Sequence, residues 1–243
     1  MVIIYGSRMY GRVQRCGTTY MGTLFAHIYW MPLFPLGSKL VLQENGDGTY
    51  RFIPAGLDWR STLAAYLRTW GAIGAIVALF FGIDEMQRAD VDAIDSILTL
   101  GSSLFLVACA VGAWVWLGKL SSDEKGQRLA YQEFAGHPID VAMMREAREP
   151  LRHRLYAHVV ERARGLISGG YRTTVDPATQ WGAIALDPSV SDVSFLRAAL
   201  TLTRLEWSLA AADAKAQFAS AHAMIWQKLK GAEPALMESA KAA

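Results

Sequence analysis

Cysteine is nearly absent: the chain of 243 residues has only Cys16 and Cys109. Two thiols exclude a disulfide scaffold and a multi-cysteine zinc cluster. Charge is also sparse, at 19% of residues with a formal net charge of +2. That balance gives no support to nucleic-acid binding, and none is expected as a partner. The phosphate-binding and nucleophile motifs are missing too, with no Walker loop, GxGxxG, GxSxG or CxxC. The five histidines, His27, His137, His153, His158 and His222, form no HExxH and no metal-spaced pair. Met1–Arg8 lacks a basic segment followed by a long apolar core, so no cleaved signal peptide is expected.

What is present is apolar, and it is concentrated. Leu63–Ile83 and Ser96–Gly118 are long hydrophobic runs separated by the acidic segment Asp84–Asp95. A bilayer crossing takes about twenty residues, so this pattern predicts a transmembrane helical hairpin over 61–119. The uncharged part of the first run, Thr69–Ile83, is short. Extending it to Leu63 includes Arg68, which a snorkelling side chain tolerates at a helix end. Trp59, Arg68 and Trp70 on the first span, with Trp114, Trp116 and Lys119 on the second, are the expected interface anchors. Arg60, Arg68, Lys119, Lys125 and Arg128 flank one side. Asp84, Glu85, Asp90, Asp92 and Asp95, opposed by Arg88, flank the other. The positive-inside rule therefore puts both termini in the cytoplasm and the acidic loop outside. Gly71, Ala75, Ala78 and Gly82, and Ala108 with Gly112, offer small-residue faces. These serve either packing of the two spans or oligomerisation.

Residues 1–60 read as a small β module. Val2–Tyr5 and Tyr20–Trp30 are strands, Gly6-Ser7 and Gly11 are punctuation, and Lys39–Gln43 pairs with Thr49–Ile53 across an Asn45-Gly46-Asp47-Gly48 turn. Met31–Leu36 has two prolines and is excluded from a central strand. It is expected as an apolar, extended edge or corner, either exposed or membrane-facing or tucked under the sheet, and the need of a small module for every apolar residue favours the tucked placement. His27 is expected to be a hydrogen-bonded structural residue.

Ile4–Gly11 and Phe25–Ser38 resemble the start of a group of uncharacterised bacterial two-span membrane proteins. The Pro32-Leu33-Phe34-Pro35 element is similar to one in small zinc-ribbon-like modules. Those carry paired cysteines where this chain has only Cys16, so neither zinc nor any other cofactor is expected. The resemblance implies a bacterial inner membrane location and brings no active site with it.

Residues 120–243 read as a helical cytoplasmic domain. Gln127–Phe134 is a short helix broken by Gly136-His137-Pro138. Ile139–Ile167 is helical, with Pro150 kinking it or opening a second helix at its first turn. Residues 171–192 read mainly as loop. A long helix over 194–230 carries a seam of Phe195, Ala198, Leu202, Leu205, Leu209, Ala212, Ala216, Ala219, Ala223 and Trp226 at steps of three and four. Its partner is either the Ile139–Ile167 helix or a second copy of itself, and the sequence favours the first. Glu149/His153 and His158/Glu161 are spaced for carboxylate–histidine pairs, with surface ion pairing the expected role. The arginines Arg145–Arg172 form a basic concentration suited to anionic headgroups or simply to solvent.

The expected fold class is thus membrane α+β. The function read from it is that of a non-enzymatic, membrane-anchored structural or accessory protein. Its partners are the lipid bilayer and a homo-oligomer or larger membrane complex. The competing reading is a subunit of a membrane enzyme or transport complex with its site outside the spans.

Overall fold

The computed structural model describes residues 5–46, 49–87 and 93–243. The chain divides into two compact units, Met1–Lys119 and Leu120–Ala243. The sheet and the hairpin, separate modules in the sequence reading, are one unit.

That unit begins with an open antiparallel sheet of four strands in the order β1 (Tyr5–Cys16), β2 (Thr19–Ile28), β3 (Met31–Glu44) and β4 (Tyr50–Ala55). β1 runs on through Gly6-Ser7 and Gly11, where the sequence suggested breaks. It absorbs the irregularity as register shifts between Tyr10 and Val13 and between Val13 and Cys16. Gly11 (φ 63) and Gln14 (φ 55) take left-handed backbone at these bulges. Gly11 is needed for a second reason, since a Cβ there would lie 1.9 Å from the Ser61 carbonyl oxygen.

The proline segment is an extended edge, as expected, and it continues directly into the paired part of β3. Met31–Gly37 pairs with β2, through further register shifts, while β4 covers β3 only from Ser38 onward. The prolines therefore sit where β3 is an edge, as a missing N–H requires. The tucked placement is corrected. Pro32 is buried, but Phe34 and Leu36 are exposed: the register shift between Pro32 and Phe34 inserts Leu33 as an extra residue and breaks the simple alternation of faces. Of the expected turn, Asp47 and Gly48 lie outside the described residues, and Asn45 N–H reaches the Thr49 carbonyl at 2.9 Å.

Two long helices follow, α1 (Trp59–Gln87) and α2 (Ala93–Val115). Both extend beyond the expected spans toward each other. Of the acidic loop, residues 88–92, including Arg88, Asp90 and Asp92, lie outside the described residues.

The second unit is all helical: α3 (Ser122–Ala135), a 3₁₀ turn (Val141–Met143), α4 (Arg148–Ser168), α5 (Pro177–Leu186), α6 (Val193–Leu209), α7 (Lys215–Ala232) and α8 (Pro234–Ala242). Ser121 and Glu124 form a reciprocal capping box that starts α3, and Gly136 ends it in left-handed backbone. Pro150 lies in the first turn of α4, where its missing N–H costs nothing. α5 falls in the stretch expected as loop, with Asp176 as N-cap and Pro177 at the first helical position.

α6 is the axis of this unit. Phe195, Leu196, Ala198, Ala199, Leu200, Leu202 and Leu205 are all buried, which is the signature of a helix enclosed on all sides. Its buried threonines, Thr201 and Thr203, return their hydroxyls to the Arg197 and Ala199 carbonyls at 2.7 Å. The single helix over 194–230 is therefore corrected. The chain leaves helix after Leu209 and re-enters it at Lys215, so that α7 folds back onto α6. The seam does not continue across the break. Leu209, Ala212, Ala216, Ala219 and Ala223 are exposed, and α7 instead buries Ile225, Trp226 and Leu229. The Trp226 ring lies on Gly126 of α3, where a Cβ would come within 2.6 Å of it.

Candidate membrane surface and enclosed polar cluster

The small-residue face of α1 packs on α2, the intramolecular alternative left open by the sequence. Gly82 faces Ser103, whose hydroxyl donates to the Ala78 carbonyl at 2.8 Å, and Gly71 faces Ala110. On α2 the packing face is Ser103, Ala110 and Ala113; the expected Ala108 is exposed. Only 17% of each apolar window is buried. Ile76, Phe80, Phe81, Ile97 and Phe105 project outward instead. A helix pair that uncovers this much apolar surface requires a non-aqueous surrounding or a covering partner.

Arg68 is held within its own unit. Its guanidinium donates to three carbonyls: Arg12 in β1 at 3.0 Å, Leu117 at 2.9 Å and Ala113 at 3.3 Å. The last two are at the C-terminal end of α2, whose final carbonyls have no intrahelical donors. A cation there satisfies both the acceptors and the negative end of the helix dipole. The Trp114 ring lies 5.6 Å from the guanidinium carbon. β1 completes a collar, with the Gln14 N–H donating to the Gly118 carbonyl at 2.6 Å. Gly118 (φ 80) has no room for a Cβ, which would sit 2.3 Å from Val13.

The remaining anchors fall at two levels. Trp70, Trp114 and Trp116 share the level of Arg68, and the Trp70 indole N–H donates to the Pro32 carbonyl at 3.0 Å. Trp59, exposed at the start of α1, is about 16 Å away along the helix axis. Lys119 is exposed just past the collar. Between Trp59 and Trp70, α1 is gripped by the sheet. Ser61 donates to the Gly11 carbonyl at 2.7 Å and accepts from Thr23 at 2.9 Å, and the Tyr66 phenol reaches the Leu33 carbonyl at 2.6 Å. His27 is enclosed as expected, edge-on to Tyr10. Its Nδ1, however, has no hydrogen-bond partner among the described residues.

In the helical unit, sequence reasoning missed an enclosed polar cluster. The Tyr131 hydroxyl and His222 Nε2 are 2.6 Å apart. Beside them Arg204 binds Asp140 through two nitrogens, the Nε contact being 3.0 Å. Burial pushes the Tyr131 phenol well above its ordinary range, helped by the Asp140 charge. Burial opposes the Asp140 charge, but the Arg204 guanidinium and the Ala142 N–H outweigh it and hold the carboxyl below its usual value. His222 is driven down to about 4, by burial first and the Arg204 charge second, with Asp140 opposing. The imidazole is thus neutral at pH 7. The four groups come from α3, the loop after it, α6 and α7, so no local motif announces them. The cluster satisfies its own donors and acceptors and ties four segments together.

The histidine–carboxylate pairs gather no further ligands: among the described residues no three His, Cys, Asp or Glu side chains are placed to hold a metal ion. His153 and Glu149 are exposed, and Glu149 pairs with Arg152 at 3.5 Å. His158 borders an open groove of about 560 Å³ with Glu161, Arg162, Gly165, Leu166 and Asp192. Asp192 is engaged there as the N-cap of α6, accepting from the Phe195 N–H at 2.6 Å.

No family model, curated protein or solved structure matches the chain. The likeness to two-span membrane proteins therefore stands on element order alone: a small four-stranded sheet followed by two apolar helices of membrane-spanning length.

Proposed function

We propose that this chain is a membrane-anchored structural or accessory protein. In this reading the α1–α2 hairpin crosses the bacterial inner membrane, with the sheet and the helical unit on the cytoplasmic side. The observation that carries it is the outward-facing apolar surface of the hairpin, combined with a polar collar confined to one end. The flanking charges support the orientation, although Arg68 and Arg128 also serve packing within their own units. The helical unit is the part available for protein–protein interaction. Its ion pairs, such as Arg152–Glu206 at 2.7 Å, and its helix–helix packing make a stable platform. The exposed seam residues Leu209, Ala212, Ala216, Ala219 and Ala223 remain open to a partner.

Two measurements test this reading. Reporter fusions within residues 88–92 and after Ala243 are expected to report opposite sides of the membrane, and the protein is expected to resist alkaline extraction. Release by carbonate would remove the anchor. The mass of the particle extracted in mild detergent is expected to exceed that of the 26.7 kDa chain. A monomer without co-purifying subunits at every concentration would remove the assembly role.

A further inference from the structure

The turn between β2 and β3 is unusual for a water-exposed hairpin. Ile28 pairs with Met31, so the loop is the two residues Tyr29 and Trp30, both in left-handed backbone (φ 48 and 66). Such turns favour Asn-Gly, because a side chain with a Cβ costs about 1–2 kcal/mol in that conformation. Two bulky aromatics are held there instead. Several nearby outward side chains are apolar as well, with the exposed Arg8 beside Tyr10 as a cation among them: Tyr5 is 80% exposed, Phe34 69% and Trp30 54%.

The direction of the turn is set by its contacts with α1. Ser38 accepts from the Asp58 N–H at 2.8 Å, just before α1 begins; the Leu33 carbonyl meets Tyr66, and the Pro32 carbonyl meets Trp70. β3 read backward thus climbs α1 toward its apolar half, and the turn lies beyond the level of Pro32. Twenty residues counted back from Ile83, about 30 Å of helix, reach Ala64. On that count Trp70 is already about 9 Å inside the apolar layer. If the interface is placed instead at the Trp70, Trp114 and Trp116 level, the turn lies at the interface itself.

The backbone chemistry of the tip fits a place where water is scarce. Tyr10 donates to the Trp30 carbonyl at 2.6 Å, while Tyr66 and Trp70 supply donors to Leu33 and Pro32. Pro32 and Pro35 have no N–H to leave unpaired at the edge. Unsatisfied backbone groups are what a lipid environment penalises most.

We infer that the Tyr29–Trp30 turn, with Tyr5 and Phe34, inserts into the interfacial layer of the bilayer beside α1 and makes the sheet a second, monotopic membrane contact. This rests on the membrane reading above. Its occupant is the lipid of the cytoplasmic leaflet.

The test is depth-dependent quenching in proteoliposomes. An environment-sensitive fluorophore is placed on Trp30→Cys, Ile76→Cys and Gln43→Cys, each in a Cys109→Ala background. Labelling is checked against that background without an added cysteine. The expected result is quenching at position 30 by nitroxides near the headgroup, at 76 by nitroxides deep in the acyl chains, and at 43 only by an aqueous quencher. Quenching at 76 with position 30 open only to the aqueous quencher overturns this inference and leaves the anchor intact. Loss of lipid quenching at 76 overturns the anchor and this inference together.

Discussion

The two units use similar apolar residues in opposite ways. In the helical unit Phe195, Leu200 and Ile225 are wholly enclosed, while the charges of α4 face outward. In the hairpin unit Ile76, Phe80 and Phe105 face outward, and the polar groups that matter, Arg68 and Ser103, are turned inward against carbonyls. The helical unit is organised by what it hides. The hairpin is organised by a narrow strip of small residues and a few hydrogen bonds, as the proposed membrane placement requires, since lipid gives two helices no hydrophobic reason to associate.

That contrast can be broken most severely in the helical unit. Asp140→Ala leaves the Arg204 guanidinium partly buried and unpaired, and a loss of about 3–5 kcal/mol is expected in chemical denaturation. A loss below about 1 kcal/mol would show that water already serves that site. The hairpin unit has its counterpart in Gly11→Ala, which combines left-handed strain with a clash on the Ser61 carbonyl. About 3 kcal/mol is expected, read as lost hydrogen-exchange protection of β1 and the first turns of α1, with the helical unit unchanged.

Acid separates the units next. The His222 imidazole takes up a proton only near pH 4 when folded, against about 6.5 when unfolded. Between those values the unfolded state binds more protons, so stability falls as pH drops from about 6.5 to about 4 and then levels off for this group. At most about 3 kcal/mol is at stake. The lowered Asp140 carboxyl adds loss of the same sign below its ordinary range. Melts of the full chain across this window are expected to lose the helical unit first, and His222→Gln to flatten the profile between pH 6.5 and 4. An unchanged profile would place the sensitivity elsewhere. A smaller effect, of opposite sign, is expected from Tyr29→Asn with Trp30→Gly. Relief of left-handed strain should stabilise the sheet in detergent by about 1 kcal/mol, read as slower exchange of β2 and β3 amides. The smallest is Ser103→Ala, about 0.6 kcal/mol, which removes one hydrogen bond between the spans and is read in thermal melts in detergent.

What the sequence made legible follows from how local each signal is. The two apolar runs and the Gly136 stop are local and needed no partner; the Ser121–Glu124 cap is just as local, yet the helix was expected to begin only at Gln127, five residues after its actual start at Ser122. The helix over 194–230 was misread because nothing local interrupts it: Ala210, Ala211, Ala212 and Ala214 are good helix formers, and the break is imposed by α7 burying Ile225 and Trp226 against its neighbours. The extended edge at Pro32 and Pro35 was legible from the two missing N–H donors; its continuity with the central part of β3 was not, because it depends on the shortness of β4. For α5 the signal was present, since Asp176-Pro177 is an N-cap followed by an N1 proline, and it was taken as loop punctuation. The Tyr131–His222 and Asp140–Arg204 pairs lie far apart in sequence, so composition and spacing are silent about them.

The collar has a consequence in time. Arg12 and Gln14 leave the ribosome early, yet the Arg68 guanidinium and the Gly118 carbonyl that receive them come from opposite ends of the hairpin. β1 can pair with β2 at once, and Gly11 and Arg12 can close on Ser61 and Arg68 as the first helix forms, but Gln14 has nothing to close on until the second helix has been made and packed against the first. The earliest strand is therefore the last to be fully fastened, and its full fastening requires that both helices have been laid down and paired.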